Sequence, residues 1–138
     1  MRWVLGVLLL VSLTACAGPD QKLQDAGSQA AREAAAEVGT ARVAVQQLLD
    51  GKLWAQPANQ LVADSEKALD GIVSGFDSQQ PETEQSQKLY DEYSKTLDDA
   101  AKAVTTVRIA LKNNDKTAAA RQVGVLEKSA QQLTELAR

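Results

Sequence analysis

The sequence predicts an all-α protein, an up-down-up-down antiparallel four-helix bundle. From Gln21 onward the chain is dominated by Ala, Leu, Gln, Glu, Lys and Asp, which favour helix, and its β-branched residues do not alternate. Apolar residues recur at spacings of three and four, and three short polar segments interrupt them. The same pattern also fits two stacked helical hairpins, as in short repeat proteins.

The first two helices are predicted over residues 21–50 and 57–76. The first ends at Asp50-Gly51, because Gly readily takes the left-handed conformation that follows a last helical turn. Pro57 opens the second helix, where a missing N–H loses no partner. The apolar stripes of the two helices are Ala34, Val38, Ala41, Val45 and Leu48, then Ala58, Leu61, Val62, Ser65, Leu69, Ile72, Val73 and Phe76.

The third and fourth helices are predicted over residues 81–112 and 115–138. Pro81 with Glu82 and Glu84 suits a helix start, and Asp115 suits an N-cap. The two stripes follow a heptad spacing and comprise Tyr90, Tyr93, Leu97, Ala100, Val104, Val107 and Leu111, then Ala119, Val123, Leu126, Ala130, Leu133 and Ala137.

The two halves of the chain resemble each other. Residues 38–45 align with residues 104–111, and Val62, Ser65 and Leu69 align with Leu126, Ser129 and Leu133. The first hairpin is therefore a candidate duplicate of the second, although Ala-rich helices also align by chance. If the two hairpins are duplicates, Arg42 and Arg108 should lie at the same height along the bundle axis.

The composition removes most catalytic chemistry. The chain has no His and one Cys, which excludes His-based triads, His-ligated zinc and haem, and Glu-x-x-His di-iron sites. No phosphate loop, EF-hand or nucleophile elbow is present. We therefore expect no enzyme, no cofactor and no metal site. The net charge of −3 and the lack of a basic stripe also disfavour binding to nucleic acid or to anionic lipid.

The first sixteen residues have the pattern of a secretory signal. Met1-Arg2 is followed by an apolar run from Trp3 to Leu13, too short for a membrane-spanning helix, and then by Leu13-Thr14-Ala15-Cys16. This tetrapeptide resembles the lipobox of bacterial lipoproteins at all four positions. The resemblance implies cleavage between Ala15 and Cys16, with acyl chains such as palmitate on Cys16.

The same resemblance implies a place in the cell envelope. Residues 1–15 would be the signal peptide, residues 16–20 a lipidated tether, and residues 21–138 the bundle. Ala17 lacks the Asp that retains such proteins on the inner membrane, which implies the outer membrane in a Gram-negative cell. In a Gram-positive cell the protein would stay on the extracytoplasmic face of the plasma membrane. By architecture alone, the bundle also resembles small envelope four-helix cytochromes, but it lacks their Met and His ligands.

Three sets of side chains are candidate sites. Lys52, Leu53 and Trp54 lie in the first connection, at the end of the bundle away from Cys16, which we call the distal end. Trp is enriched at interface hot spots, so these residues are a candidate partner contact, unless the indole closes the core instead. Phe76, Tyr90 and Tyr93 are a candidate ligand pocket or simply core, and Arg42 with Arg108 is a candidate anion clamp.

From these observations we expect a lipid-anchored, non-enzymatic protein of the cell envelope. It would act as a protein-interaction or structural module, with an unidentified envelope protein as partner and no nucleic acid. The alternative is a helical bundle that binds or senses a small molecule through Phe76, Tyr90 and Tyr93 at the membrane surface.

Overall fold

The computed structural model describes residues 18–138, which form four α-helices. They are α1 (Pro19–Leu49), α2 (Ala55–Asp77), α3 (Glu84–Lys112) and α4 (Lys116–Leu136). The predicted fold class is confirmed: the helices form an antiparallel bundle. Hydrogen bonds from Thr83 and Ser86 to Asp20 place the starts of α1 and α3 at one end, so the 50–54 and 113–115 connections lie together at the other.

The helices close into a ring, since α4 packs against both α1 and α3 and α2 does the same from the other side. This arrangement excludes a linear stack of two hairpins. Within the part of the chain that the structure describes, α1 also touches α3 across the bundle, whereas α2 and α4 do not touch each other. The cross-section is therefore a rhombus with α1 and α3 on its short diagonal.

Small residues on α1 allow this close approach. Gly27, Ala31, Ala34, Ala41 and Ala44 are all buried on the face of α1 that packs into the bundle. The larger core side chains come mainly from the other three helices and comprise Val62, Leu69, Phe76, Tyr93, Leu97, Val104, Val107, Leu126 and Leu133. Each helix thus has its apolar face covered by its neighbours within residues 18–138, so this segment has a complete core and folds on its own.

The helix bounds differ from the predicted ones by up to three residues. α2 begins at Ala55, because Trp54 takes the extended N-cap conformation and Pro57 falls inside the first turn. α3 begins at Glu84 rather than 81, because Thr83 is the N-cap and accepts a hydrogen bond from the Ser86 N–H at 2.9 Å.

α4 is shorter than its neighbours. It begins at Lys116, after an N-cap in which Asp115 accepts from the Ala118 N–H at 2.9 Å. It ends at Leu136, beside Ser28 and Arg32 rather than beside the start of α1. α2 ends at a similar level, since its last residue, Asp77, accepts hydrogen bonds from Tyr90 and Ser94 of α3, next to the Tyr93 that donates to Leu136. The starts of α1 and α3 therefore extend beyond the ends of both α2 and α4.

Candidate functional site

Trp54 stands out from the surface of the distal end. Its side chain is 85% exposed, the largest exposure of any large hydrophobic residue in the described chain. The indole therefore does not close the core. Its backbone is extended at the start of α2, and its side chain makes no capping hydrogen bond to the first turn of that helix.

An apolar groove of about 500 Å³ lies between α1 and α2 and extends to Leu53, the residue before Trp54. Val43 and Leu61 line it with 47% and 40% of their surfaces exposed, and Leu53 packs its partly buried side chain against the core. Arg42 and Gln47 supply the polar edge. Of the predicted contact residues, Leu53 therefore joins the groove to the core, while Lys52 and Trp54 face solvent.

The charges of the bundle are distributed unevenly along its axis. The distal end, taken as residues 42–62 and 105–123, carries six basic and two acidic side chains. The remainder of the described chain carries eight basic and sixteen acidic side chains. The basic side chains of the distal end are Arg42, Lys52, Arg108, Lys112, Lys116 and Arg121.

The two acidic groups within these ranges are engaged in helix termini, and a third, Glu66, lies at the same level because it contacts Thr105 and Arg108. The Asp50 carboxylate accepts a hydrogen bond from the Gln46 side chain at 3.0 Å, and the Asp115 carboxylate caps α4. Lys52, Lys112 and Lys116 are exposed. The distal end is therefore a basic surface with an exposed indole, on a protein whose net charge is negative.

Arg42 and Arg108 lie on different faces and do not form a common anion clamp. Arg42 lines a groove against Glu127, Gln131 and Glu135 on the α4 side. Arg108 instead pairs with Glu66 of α2, whose other carboxylate oxygen accepts from the Thr105 hydroxyl at 2.7 Å. The Glu66 side chain is only 18% exposed, so this group ties α2 to α3.

Phe76, Tyr90 and Tyr93 come together as the sequence analysis expects. The Phe76 ring stacks on Tyr90 at a centroid distance of 5.5 Å, and it meets Tyr93 at 5.7 Å with the planes tilted by 57°. Phe76 and Tyr93 are each only 3% exposed. The three rings fill the core at the level where α4 ends.

The two tyrosine hydroxyls point to different helix ends. Tyr93 donates to the carbonyl of Leu136 at 3.2 Å and lies 3.1 Å from the Ser28 hydroxyl. Tyr90 donates to the carbonyl of Asp77 at 3.4 Å. Each phenol thus satisfies a terminal carbonyl that its helix leaves without a partner, one on α4 and one on α2.

Asp20 links the starts of α1 and α3 at the end of the bundle that holds Gly18. Its carboxylate accepts hydrogen bonds from the hydroxyls of Ser86 and of Thr83, the latter at 2.7 Å. These two bonds hold the pKa of Asp20 below its ordinary value, because they favour the charged carboxylate. Ser86 is buried, so the group is part of the packing between the two helices.

Within residues 18–138, no group of three or more acidic, His or Cys side chains is arranged to hold a metal ion. None of the four helices described here has an apolar stretch long enough to cross a bilayer. The predicted cleavage and lipidation positions, Ala15 and Cys16, lie outside the described residues.

No family model, curated protein or solved structure matches this chain. The functional conclusion therefore depends on the chemistry and geometry of the chain itself.

The basic character of the distal end is hidden in the net charge, although the sequence contains a signal for it. Net charge averages over the whole chain, whereas the helix order assigns each charged residue to one end of the bundle. When each charged residue is assigned to its place on the predicted antiparallel helices, the distal end carries more basic than acidic residues and the rest of the bundle carries more acidic than basic ones. The Glu66–Arg108 pair has no such signal, because its partners lie on helices that meet only in the folded protein.

Proposed function

We propose that this protein is a non-enzymatic, lipid-anchored module of the bacterial cell envelope that engages another envelope component through its distal end. The observation that carries the proposal is the exposed Trp54 at the end of the bundle opposite Gly18, next in sequence to Leu53, which lines an apolar groove. An exposed indole contributes little hydrophobic stabilisation to the fold, and Trp is among the residue types most enriched at interface hot spots.

The anchor part of the proposal is supported by the pattern Leu13-Thr14-Ala15-Cys16. Two or three acyl chains give durable attachment, since each buried methylene contributes about 0.8 kcal/mol. Because α1 starts three residues after Cys16, such an anchor would hold the opposite end of the bundle away from the lipid. At a rise of 1.5 Å per residue, α1 alone gives a reach of roughly 45 Å.

Metabolic labelling with a palmitate analogue tests the anchor. We expect label on the wild-type chain and none on the Cys16→Ser variant, with the labelled protein partitioning into membranes. The Thr14→Ser and Ala17→Ser variants are matched controls, because they keep the lipobox pattern. Both should take up the palmitate analogue as the wild type does. An unlabelled wild-type chain would overturn the anchor.

Site-specific photo-crosslinking in intact cells tests the use of the distal end. A photoreactive residue in place of Trp54 should give discrete adducts, whereas the same residue in place of Gln24, an exposed position near the other end, should not. The mass of the adduct shows whether the crosslinked component is a protein or a lipid. Equal yields at the two positions would contradict the proposal.

The alternative expectation was a small-molecule site at Phe76, Tyr90 and Tyr93. In the described chain the rings pack on one another, and the hydroxyls are hydrogen-bonded to helix termini. These contacts leave the three side chains as part of the core and favour no ligand between them.

A further inference from the structure

We propose that the distal end is a peripheral binding site for an anionic phospholipid bilayer, with Trp54 entering the interfacial region and the surrounding Lys and Arg side chains contacting the headgroups. This inference names the class of component engaged in the function proposed above and rests on the same end of the bundle. In a chain anchored at Cys16 the bilayer bound by the distal end would be a second one, since the anchor holds this end away from the first; the binding itself does not depend on acylation of Cys16.

The first argument is charge. Outside the Arg108–Glu66 pair and Arg42, which lies against Glu127 and Glu135 of α4, the distal end presents Lys52, Lys112, Lys116 and Arg121 against two carboxylates that serve helix termini. A basic side chain near an anionic leaflet strengthens binding by about fivefold. When the distal end faces the bilayer, the acidic remainder of the chain points away from the anionic headgroups.

The second argument is the position of the indole. Trp is enriched at the interface between lipid and water, where the ring meets the acyl boundary and the N–H remains in contact with water. Lys52 and Trp54 are both exposed in the same short connection, so a basic and an aromatic side chain lie near each other at the tip of the bundle. Residues of these two types are typical of segments that lie in the bilayer interface.

The third argument is the start of α2. No side chain caps this helix at Trp54, and its first turn contains no acidic residue. Pro57 has no N–H and the Ala58 N–H donates to the Trp54 carbonyl, so two N–H groups of this turn, those of Ala55 and Gln56, are available to a lipid phosphate. At the other end of the bundle α1 also has no side-chain cap, but Asp20 lies in its first turn.

A bilayer fits these features better than an acidic protein does. The exposed lysines come from two separate connections at the tip of the bundle, Lys52 in one and Lys112 and Lys116 flanking the other. A stable protein interface needs about 800 Å² of complementary surface on each partner, with a packed centre. A fluid surface needs no such complementarity and accepts charges spread over a convex end.

The test uses residues 18–138, whose core is complete and in which Trp54 is the only Trp. Vesicles of phosphatidylcholine alone are compared with an equimolar mixture of phosphatidylcholine and phosphatidylglycerol. With the anionic vesicles we expect a blue shift of the Trp54 emission, quenching by brominated acyl chains, and binding that weakens as salt is added. With neutral vesicles we expect neither shift nor quenching.

Two triple variants provide the decisive comparison. The first variant removes the distal charges and should weaken vesicle binding at least about tenfold; it carries Lys52→Gln, Lys112→Gln and Lys116→Gln. The second variant makes the same change in net charge away from the distal end and should leave binding within about twofold; it carries Lys22→Gln, Lys88→Gln and Lys128→Gln. Trp54→Ala, followed by co-sedimentation, should also reduce binding.

Three outcomes would overturn the inference: equal binding to both kinds of vesicle, an equal loss in the two triple variants, or an unshifted Trp54 emission. A blue shift with poly-glutamate but not with vesicles would assign the surface to an acidic polypeptide instead. If vesicles fail while position 54 crosslinks in cells, the bilayer is the wrong component and the proposed function remains.

Discussion

Gly27 is the residue on which the packing of Tyr93 depends. It lies buried in α1, directly under the Tyr93 ring. A Cβ at position 27 would come within 2.5 Å of two ring carbons, Cδ2 and Cε2, which no real Cβ contact shows. Because the ring is buried, contacts Phe76 and is hydrogen-bonded through its hydroxyl, it has little room to move away.

We therefore expect Gly27→Ala to lower the free energy of unfolding by about 1–3 kcal/mol, the usual result of overpacking a filled core. Gly39→Ala is the matched control in the same helix, since a Cβ there meets nothing within 4 Å. It should raise the free energy of unfolding by roughly 0.5–1 kcal/mol, because Ala favours helix over Gly. Urea unfolding followed by circular dichroism measures both; stabilisation by both substitutions would contradict the contact.

The sequence predicts which aromatic residues meet, but not what they do. Heptad spacing places Tyr90 and Tyr93 on the inner face of the third helix, close in projection to Phe76. The acceptor for Tyr93 is the carbonyl of Leu136, and it depends on α4 ending early. The pattern of apolar residues continues to Ala137 and contains no signal for that end.

At the scale of elements, the Asp20 group joins the first turn of α1 to the first turn of α3. The pKa of Asp20 is lowered by hydrogen bonds from Ser86 and Thr83, so the carboxylate stabilises the fold in its charged form. A lowered pKa contributes stability above the ordinary value of 3.8, and this stability is lost as the pH falls through the folded-state value.

We expect the difference in unfolding free energy between the wild type and Asp20→Asn to be constant near neutral pH. It should shrink as the pH falls below 3.8 and reach its limit once the pH is below the lower folded-state pKa, because the Asp20 carboxyl is then protonated in both the folded and the unfolded chain. Urea unfolding across this range measures the difference. Asp25→Asn, at an exposed carboxylate in the same helix, is the control. A difference that grows on acidification would contradict the assigned direction.

The number and order of the helices were predictable, and their starts were partly so. Asp115 is identified as an N-cap because an acceptor side chain precedes an apolar repeat. Thr83 has the same property, but Pro81 with two nearby acids is an equally good local start. Contacts with Asp20 of another helix favour Thr83, and local sequence contains no information on them.

At the scale of the whole molecule, α1 and α3 each pack against three helices, and α2 and α4 against two. We expect amide hydrogen exchange to be slowest in the middle of α1 and α3, because opening these helices disrupts the most packing. Val38 and Val104 can be compared with Val62 and Leu126, all of which are fully buried. Equal protection at the four positions, measured by NMR, would contradict a core organised on the short diagonal.

The predicted duplication is supported by the burial pattern and stays a prediction. The aligned positions 38, 41 and 45 of α1 and 104, 107 and 111 of α3 are all buried. Ser65 and Ser129, aligned in the second and fourth helices, are the buried polar residues of their helices. The surroundings of Arg42 and Arg108 differ. Arg108 pairs with Glu66, but the residue that aligns with Glu66 in the other half is Ala130, so Arg42 has no acid at the equivalent position.

The separation of charge along the axis also governs how copies of this protein meet one another. Two bundles side by side and parallel bring like charges together at both ends, whereas an antiparallel pair brings each basic end against an acidic flank. Copies attached to one surface by their N-termini are all parallel, and so repel one another over roughly one Debye length. Such a population would spread evenly over the surface rather than cluster.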